Sequence, residues 1–403
     1  MDRRNFLSLP LPLAMTAGLA MQAGTRTGRV KIAGVRVVPL RSIREVGSLE
    51  PAWNPGGKML FTEGGGSYTE IATDQGLVGI GPGISPELLP AVKEQLVGKD
   101  PFDIELHAAR LRYYARGAPY RGSGCVDVAL WDLIGKLCGQ PLYKLWGGAK
   151  EEVVAYASMV RLSTPEERAD LALKLADEGW RAIKLRLHHE TMKEDIRTVE
   201  AVRKAVGDRM VIMTDANQAQ SSGNWQPGVL WDLRRAIETA RELERLNCYW
   251  LEEPLPRYAF DQLAELNRQV VIPIAGGENN PGLGEFLTML EKGVYDILQP
   301  ECLVVEGITG LRKIATLAEF YGNQIVPHNG GRYIGVLAHL HLIASWRHAP
   351  YLEVLHDPPI GDYRPAFAIF DNPPLVGKDG TMAMPQSPGL GVSINEDLVV
   401  KSG

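Results

Sequence analysis

The stretch VIMTDANQ (residues 211–218) is a short apolar run that breaks into an acid at its C-terminal end. The pattern recurs in YWLEEPLP (249–256) and PIAGGENN (273–280). Asp215, Glu252 and Glu278 are therefore three carboxylates at the ends of three successive predicted strands. Their spacings, 37 and 26 residues, each match about one strand–helix–strand unit. In a barrel of parallel strands the C-terminal strand ends converge on one face, where active sites sit. Three acids converging there repel one another unless a cation holds them. A set of three hard oxygen ligands suits one Mg²⁺ per chain, completed by water and substrate, with Mn²⁺ as an alternative occupant.

Working outward, strand candidates recur on both sides of this core. They are VVAYASM (153–159), AIKLRL (182–187), VIMTDAN (211–217), YWLEEP (249–254), IPIAGGE (272–278), DILQPE (296–301), QIVPH (324–328) and YLEV (351–354). Helical text lies between most of them. Thr164-Pro165-Glu166-Glu167 places Thr at an N-cap, Pro at the first helical position and Glu three after the cap, and Thr191-Met192-Lys193-Glu194 repeats the capping box. Such alternation over roughly 200 residues argues for a parallel α/β barrel.

The text before Gly148 has a different rhythm. KIAGVRVVPL, SYTEIAT and the strand after an Asp-Gln-Gly turn form an antiparallel meander. Between the first two lies VGSLEPAWNPGGKMLFTEGGG (46–66), whose Gly and Pro content reads as a mobile loop that carries Trp53. Three helical segments follow, making an α+β domain. After Asp357 the chain is Pro- and Gly-rich, with strand-like GLGVSI, and is expected to pack back on that first domain. The expected boundaries are 29–148 for the first domain, 149–357 for the barrel and 358–403 for the returning segment.

Composition narrows the function. Among 403 residues, 45% are apolar and the net charge is −5, so a nucleic-acid surface is not suggested. Cys125, Cys138, Cys248 and Cys302 form no CxxC pair, against a disulfide framework or a zinc site. Arg3-Arg4-Asn5-Phe6-Leu7, followed by a weakly apolar stretch to about Ala23, resembles a twin-arginine export signal. Residues 1–23 are thus expected to direct the folded protein to the periplasm and to leave no membrane span in the mature chain, the alternative being a cytoplasmic protein.

The other strand ends also carry chemistry. Lys184 and Arg186 are two apart on one strand and so share a face toward the barrel mouth. Glu301 and His328 end the sixth and seventh strands, and the eighth carries Glu353. This ordered set resembles the enolase superfamily, in its mandelate racemase and muconate lactonizing enzyme branch, over residues 30 to 395. ALWDLIGKLCGQPLYKLWGG is similar to the segment closing that family's capping domain, and TDAN, LEEP and GEN to its three metal-ligand motifs.

The resemblance implies a modified TIM barrel, (β/α)7β, with an N-terminal α+β capping domain completed by the C-terminal tail. It implies Mg²⁺ on Asp215, Glu252 and Glu278, Lys184 and Arg186 at the Lys-x-Lys positions, an acid/base dyad of Glu301 and His328, and Glu353 as a substrate contact. Two departures stand out. Arginine replaces the second lysine and is a poor general base, and Glu301 is one methylene longer than the usual aspartate.

The implied chemistry is abstraction of the proton α to a carboxylate, giving a metal-stabilised enediolate. Three carboxylates, one Mg²⁺, Lys184 and Arg186 sum to about +1, favouring an anionic substrate. Racemisation needs bases on both faces of the α-carbon, whereas elimination of water needs one residue that takes and returns a proton. Arg186 therefore tilts the reading toward dehydration of an aldonate or aldarate. The alternatives are a racemase or epimerase of a 2-hydroxy acid, a cycloisomerase, and a non-catalytic sugar-acid binder. His328 is expected to titrate near neutrality, with Lys184 and Arg186 holding the substrate carboxylate. Asn217 and Trp53 are candidate substrate contacts. Glu353 reads alternatively as a buried ion-pair partner, Glu253 as a supporting or ion-paired residue, and His188 and His189 as a solvated loop. A homo-oligomer is expected.

Overall fold

The computed structural model describes residues 29–114, 121–220, 225–330 and 333–401. The export segment expected at residues 1–23 lies outside them. Eight parallel strands form the barrel: Glu152–Ser158, Ala182–Arg186, Val211–Asp215, Leu251–Glu252, Ile274–Gly276, Ile297–Leu298, Gln324–Ile325 and Tyr351–Leu355. Each of the first seven pairs with its neighbour in sequence, and the eighth returns to pair with the first. Between the seventh and eighth, Ile325 N donates to His348 O (3.1 Å), just ahead of the last strand. A helix follows each of the first seven strands, giving the (β/α)7β barrel expected from the sequence.

Local chemistry explains the elements. AIKLR is buried at every position, as a strand covered on both faces must be. The helix Met192–Val206 buries Val199, Val202 and Val206 against the sheet, and both expected capping boxes, at Thr164 and Thr191, are formed. Three strands are shorter than their apolar text. Pro254, Pro300 and Pro327 stand just beyond the fourth, sixth and seventh, and a residue without an N–H cannot extend a ladder. Glu301 and His328 thus lie beyond their strands rather than on them, released toward the barrel mouth.

In the capping region Ile32–Pro39, Ser67–Thr73 and Val78–Pro82 form a three-stranded antiparallel sheet. Helix Arg121–Cys138 lies directly on it: a Cβ on Gly81 would sit 2.4 Å from Cys125 O. Residues 46–66, expected as a loop, differ from that expectation. Ser42–Leu49 pairs with Met59–Gly64 in a two-stranded ribbon, aided by the Arg44–Glu63 ion pair at 2.6 Å. The glycines there sit at register shifts and at the ribbon's end, which hides the strand pattern from a reading by composition. Only the ribbon's tip is unpaired, and it docks on the barrel through Ala52 N to Val160 O at 2.8 Å.

The tail beyond Asp357 touches both parts. Thr381–Ala383 adds antiparallel to the start of the first barrel strand. GLGVSI makes isolated bridges rather than a strand. Leu142 N donates to Gly389 O (3.1 Å) and Leu390 N to Asp132 Oδ1 (2.7 Å). Arg41 N to Leu398 O (2.7 Å) and Val400 N to Pro39 O (3.0 Å) then join the tail to the capping sheet. No helix among the described residues is long and apolar enough to cross a membrane.

Candidate active site

Asp215 and Glu252 are the last residues of the third and fourth strands, and Glu278 follows the end of the fifth. All three are buried, and carboxylate oxygens from the three lie within 4.8 Å of one another. Asn217 N donates to Asp215 Oδ1 (2.8 Å). Glu252 Oε2 accepts from Gln299 Nε2 (2.8 Å) and Trp250 Nε1 (3.1 Å). Glu278 Oε1 accepts from Gln220 Nε2 and Asn279 Nδ2, both at 2.9 Å. Burial, then repulsion from Asp215, pushes the Glu252 carboxyl up to about 8, although Lys184 opposes this. Carboxylates this close and this buried repel one another unless positive charge offsets them, and Lys184 and Arg186 supply part of that charge. An all-oxygen donor set of this kind fits a hard divalent ion.

Glu253 makes no ion pair among the described residues. Both its oxygens are buried without a hydrogen-bond partner, and its φ of 44° is left-handed. Burial, with Glu278 and Asp215 adding to it, holds its pKa far above the carboxylate range. Of the two expected readings, a supporting residue or an ion-paired one, its place behind the cluster fits the first.

On the second-strand side, Lys184 is fully buried, its Nζ 2.9 Å from Glu252 and Glu353 and 3.5 Å from Asp215. Burial alone depresses a lysine, but these carboxylates outweigh it and keep Lys184 charged. Arg186 pairs with Asp215. It also donates to Asn217 Oδ1 (3.0 Å), Met159 O (2.7 Å) and Ser158 Oγ (3.1 Å). The Trp53 ring from the capping ribbon stacks over the guanidinium at 4.6 Å. His188 is no solvated loop residue: its Nε2 is 2.9 Å from Asn217 Oδ1, and burial lowers its pKa to about 4.

On the seventh-strand side, His328 Nε2 lies 3.2 Å from Glu278 Oε2, and its Nδ1 lies 3.3 Å from Glu301 Oε2. Glu301 is fixed by Leu303 N (3.2 Å) and Gly330 N (3.0 Å), so its extra methylene does not leave it loose. Burial lowers the His328 pKa, but Glu278, Glu353 and Glu301 together raise it to about 10. The near-neutral titration expected from the sequence is therefore not that of the cation-free site. The first of these contributions falls away when Glu278 is committed to a cation. Glu353 is buried, salt-bridged to Lys184, and accepts from Asn329 N (3.0 Å).

Arg186, Asn217, Glu278, Glu301, His328 and Glu353 all line one cavity of about 210 Å³, with Trp53 on its wall, whereas Lys184 does not reach it. The structure thus brings every expected site residue together, with Lys184, Asp215 and Glu252 one layer behind the side chains that line the cavity. It also corrects the expected charge. Glu301 and Glu353 belong in the count, so with one divalent cation and a neutral His328 the site carries about −1, and about zero once His328 is protonated. The amides Gln220, Asn279 and Asn329 were missed by sequence reasoning. Each lies just past a strand end, and only the habit of such positions to face the mouth could have singled them out.

The family model described as "Enolase C-terminal domain-like" matches residues 167–398. The N-terminal domain model of mandelate racemase/muconate lactonizing enzyme matches residues 66–147. The arabinonate dehydratase of Saccharolobus solfataricus is 32% identical over 82% of this chain and 88% of its own length. The D-galactarolactone cycloisomerase of Agrobacterium fabrum is 31% identical over 82% and 89%. Among solved structures, D-glucarate dehydratase from Agrobacterium tumefaciens, complexed with magnesium, superimposes with a TM-score of 0.80 at 26% identity, covering 93% of this chain and 100% of that one. This chain belongs to the mandelate racemase/muconate lactonizing enzyme family of the enolase superfamily and is an enzyme of its lyase or isomerase type.

Proposed function

We propose that this protein is a Mg²⁺-dependent dehydratase of a sugar acid, either an aldonate or an aldarate. One observation carries the reading. Of the described side chains lining the cavity, His328 alone is of a type that both takes and returns a proton near neutral pH, while the opposite wall presents Arg186. One such residue suffices for elimination and falls short of two-base racemisation. The dehydratases among the relatives support the substrate class.

Asp215, Glu252 and Glu278 would hold the Mg²⁺, which supplies Lewis acidity to the substrate carboxylate. Arg186, braced by Trp53, Ser158 and Asn217, places a fixed positive charge at the cavity wall. His328 Nε2 takes the proton from C2, and Glu301 stabilises the imidazolium that results. The same nitrogen then gives its proton to the C3 hydroxyl, which leaves as water. The remaining enol rearranges to a 2-keto-3-deoxy acid, so the histidine ends as it began.

A panel of aldonic and aldaric acids with Mg²⁺ in deuterated water tests this. Formation of a 2-keto acid with loss of water is expected, and Asp215→Asn should abolish both it and tight Mg²⁺ binding. Inversion or ring opening with no loss of water would make the enzyme an isomerase instead. Export by the twin-arginine route is part of the proposal. Changing Arg3 and Arg4 to lysine should strand the protein in the cytoplasm, and undiminished periplasmic recovery would refute that part alone.

A further inference from the structure

The cavity has two unlike ends. Asn217, Gln220 and Asn279 bring amides to the side built by the third to fifth strands, where they bond Arg186 and Glu278. The side built by the capping ribbon and the eighth strand presents Met59 and Leu355. Behind those two side chains lies a second cavity of about 100 Å³, whose walls include Phe61, Val336, Val354 and Phe367. Met59, Asn329 and Leu355 line both spaces, so they form the partition between them.

Asn329 is the polar member of that partition. It is 2% exposed, and its backbone N–H is fixed on Glu353 Oε2. Its side-chain Nδ2 is buried without a hydrogen-bond partner. A buried donor left unpaired is unfavourable, and buried polar groups ordinarily have partners, so this amide is built for an acceptor that arrives with the substrate. Beyond it the wall is mostly apolar; its polar members are Thr62 and Tyr333, which bond each other, Tyr363, whose hydroxyl accepts from Val376 N, and Asp362, whose carboxylate is held by Arg364. A second carboxylate placed here would face that like charge and an apolar wall.

We propose that the preferred substrate is a monocarboxylic polyhydroxy acid whose far end is a methyl group, of the 6-deoxyaldonate type, with Asn329 donating to a mid-chain hydroxyl and Met59 and Leu355 receiving the terminal carbon. This rests on the dehydratase reading above and narrows it, setting aside aldarates and terminally hydroxylated aldonates as poorer substrates. With Asn329 engaged by the mid-chain hydroxyl, a terminal hydroxyl would meet the apolar side chains of Met59 and Leu355. A methyl group there is desolvated favourably, and Met59, unbranched and flexible, can repack around it.

The test is a set of matched substrates across all hexonate configurations: each 6-deoxyhexonate against its parent hexonate and the corresponding hexarate, with Mg²⁺. The ratio of kcat/KM within the turned-over configuration should favour the 6-deoxy acid by about tenfold or more, with the hexarate poorest. Leu355→Asn should shrink or reverse that ratio and Leu355→Met should keep it. Asn329→Ala should raise KM more than it lowers kcat. A wild-type preference for the hexonate or the hexarate overturns the proposal while leaving the dehydratase reading intact, and this holds even if a variant fails to fold. Turnover and α-proton exchange with none of the acids overturns the dehydratase reading itself, and this inference with it.

Discussion

The two flanks of the carboxylate cluster carry similar charge and use it differently. On the second-strand flank Lys184 is enclosed by Glu252, Glu353 and Asp215, and Arg186 spends its donors on Asp215, Asn217, Met159 and Ser158. On the seventh-strand flank His328 keeps 19% of its side chain accessible and touches its two carboxylates at 3.2 and 3.3 Å. The first flank neutralises the site and fixes its shape. The second leaves a titratable imidazole partly open to the cavity. Lys184 and Arg186 were expected to act as a pair on the substrate carboxylate. In the structure Arg186 lines the cavity, while Lys184 is paired with carboxylates just behind it.

The largest effect that bears on this contrast is on proton transfer. His328→Asn should lower both dehydration and α-proton exchange by about 10²–10⁴-fold while Mg²⁺ still binds. Full exchange in that variant, with exchange lost in Lys184→Met, would place the base on the other flank. Lys184→Met should show itself mainly in stability. Removing one partner of a buried ion pair costs about 3–5 kcal/mol, read as a lower denaturant midpoint that is most marked when Mg²⁺ is chelated. A variant as stable as wild type but with a raised KM would return Lys184 to the substrate.

Titration gives a third, smaller effect. In the chelated protein His328 is raised from 6.5 to about 10. Its contribution to stability is therefore complete below pH 6.5 and is lost as pH rises toward 10. Glu252, raised from 4.5 to about 8, acts in the same sense over its own lower window. The melting temperature of chelated protein should thus fall between pH 7 and 10. Mg²⁺ should flatten the fall, and His328→Asn should remove its upper part; an equally steep fall in that variant would acquit His328. The smallest effect is at Trp53. Losing a ring stacked on Arg186 is worth about 0.5–2 kcal/mol, so Trp53→Ala should raise KM several-fold with little change in Mg²⁺ affinity, and an unchanged KM would mean the ribbon tip adds nothing to binding.

The barrel and its carboxylate cluster were legible because they obey strong local rules. Apolar runs ending in acid recur at strand–helix spacing, and a displaced acid would leave the mouth altogether. Other features were set by contacts between distant parts of the chain. The ribbon at Ser42–Leu49 and Met59–Gly64 hides its pairing among glycines. Thr381–Ala383 becomes a strand only because Glu152–Val154 offers an edge. The roles of Lys184 and Glu253 depend on how many acids crowd one buried volume, and no single strand end records that number. His188 was misread for the same reason, since its partner Asn217 comes from beyond the next strand.

The tail's bonds also set an order of events during synthesis. The capping sheet lies early in the chain, yet Arg41 and Pro39 find their backbone partners only at Leu398 and Val400. Asp132, on the helix that covers that sheet, meets Leu390. A ribosome that has delivered the capping region, and even the whole barrel, has therefore still not supplied what closes that sheet's edge. The ribbon that brings Trp53 to the barrel mouth leaves from this same edge, directly after Arg41. Catalytic competence should thus appear late and nearly at once, after roughly the last few tens of residues clear the exit tunnel, rather than in step with the completion of each domain.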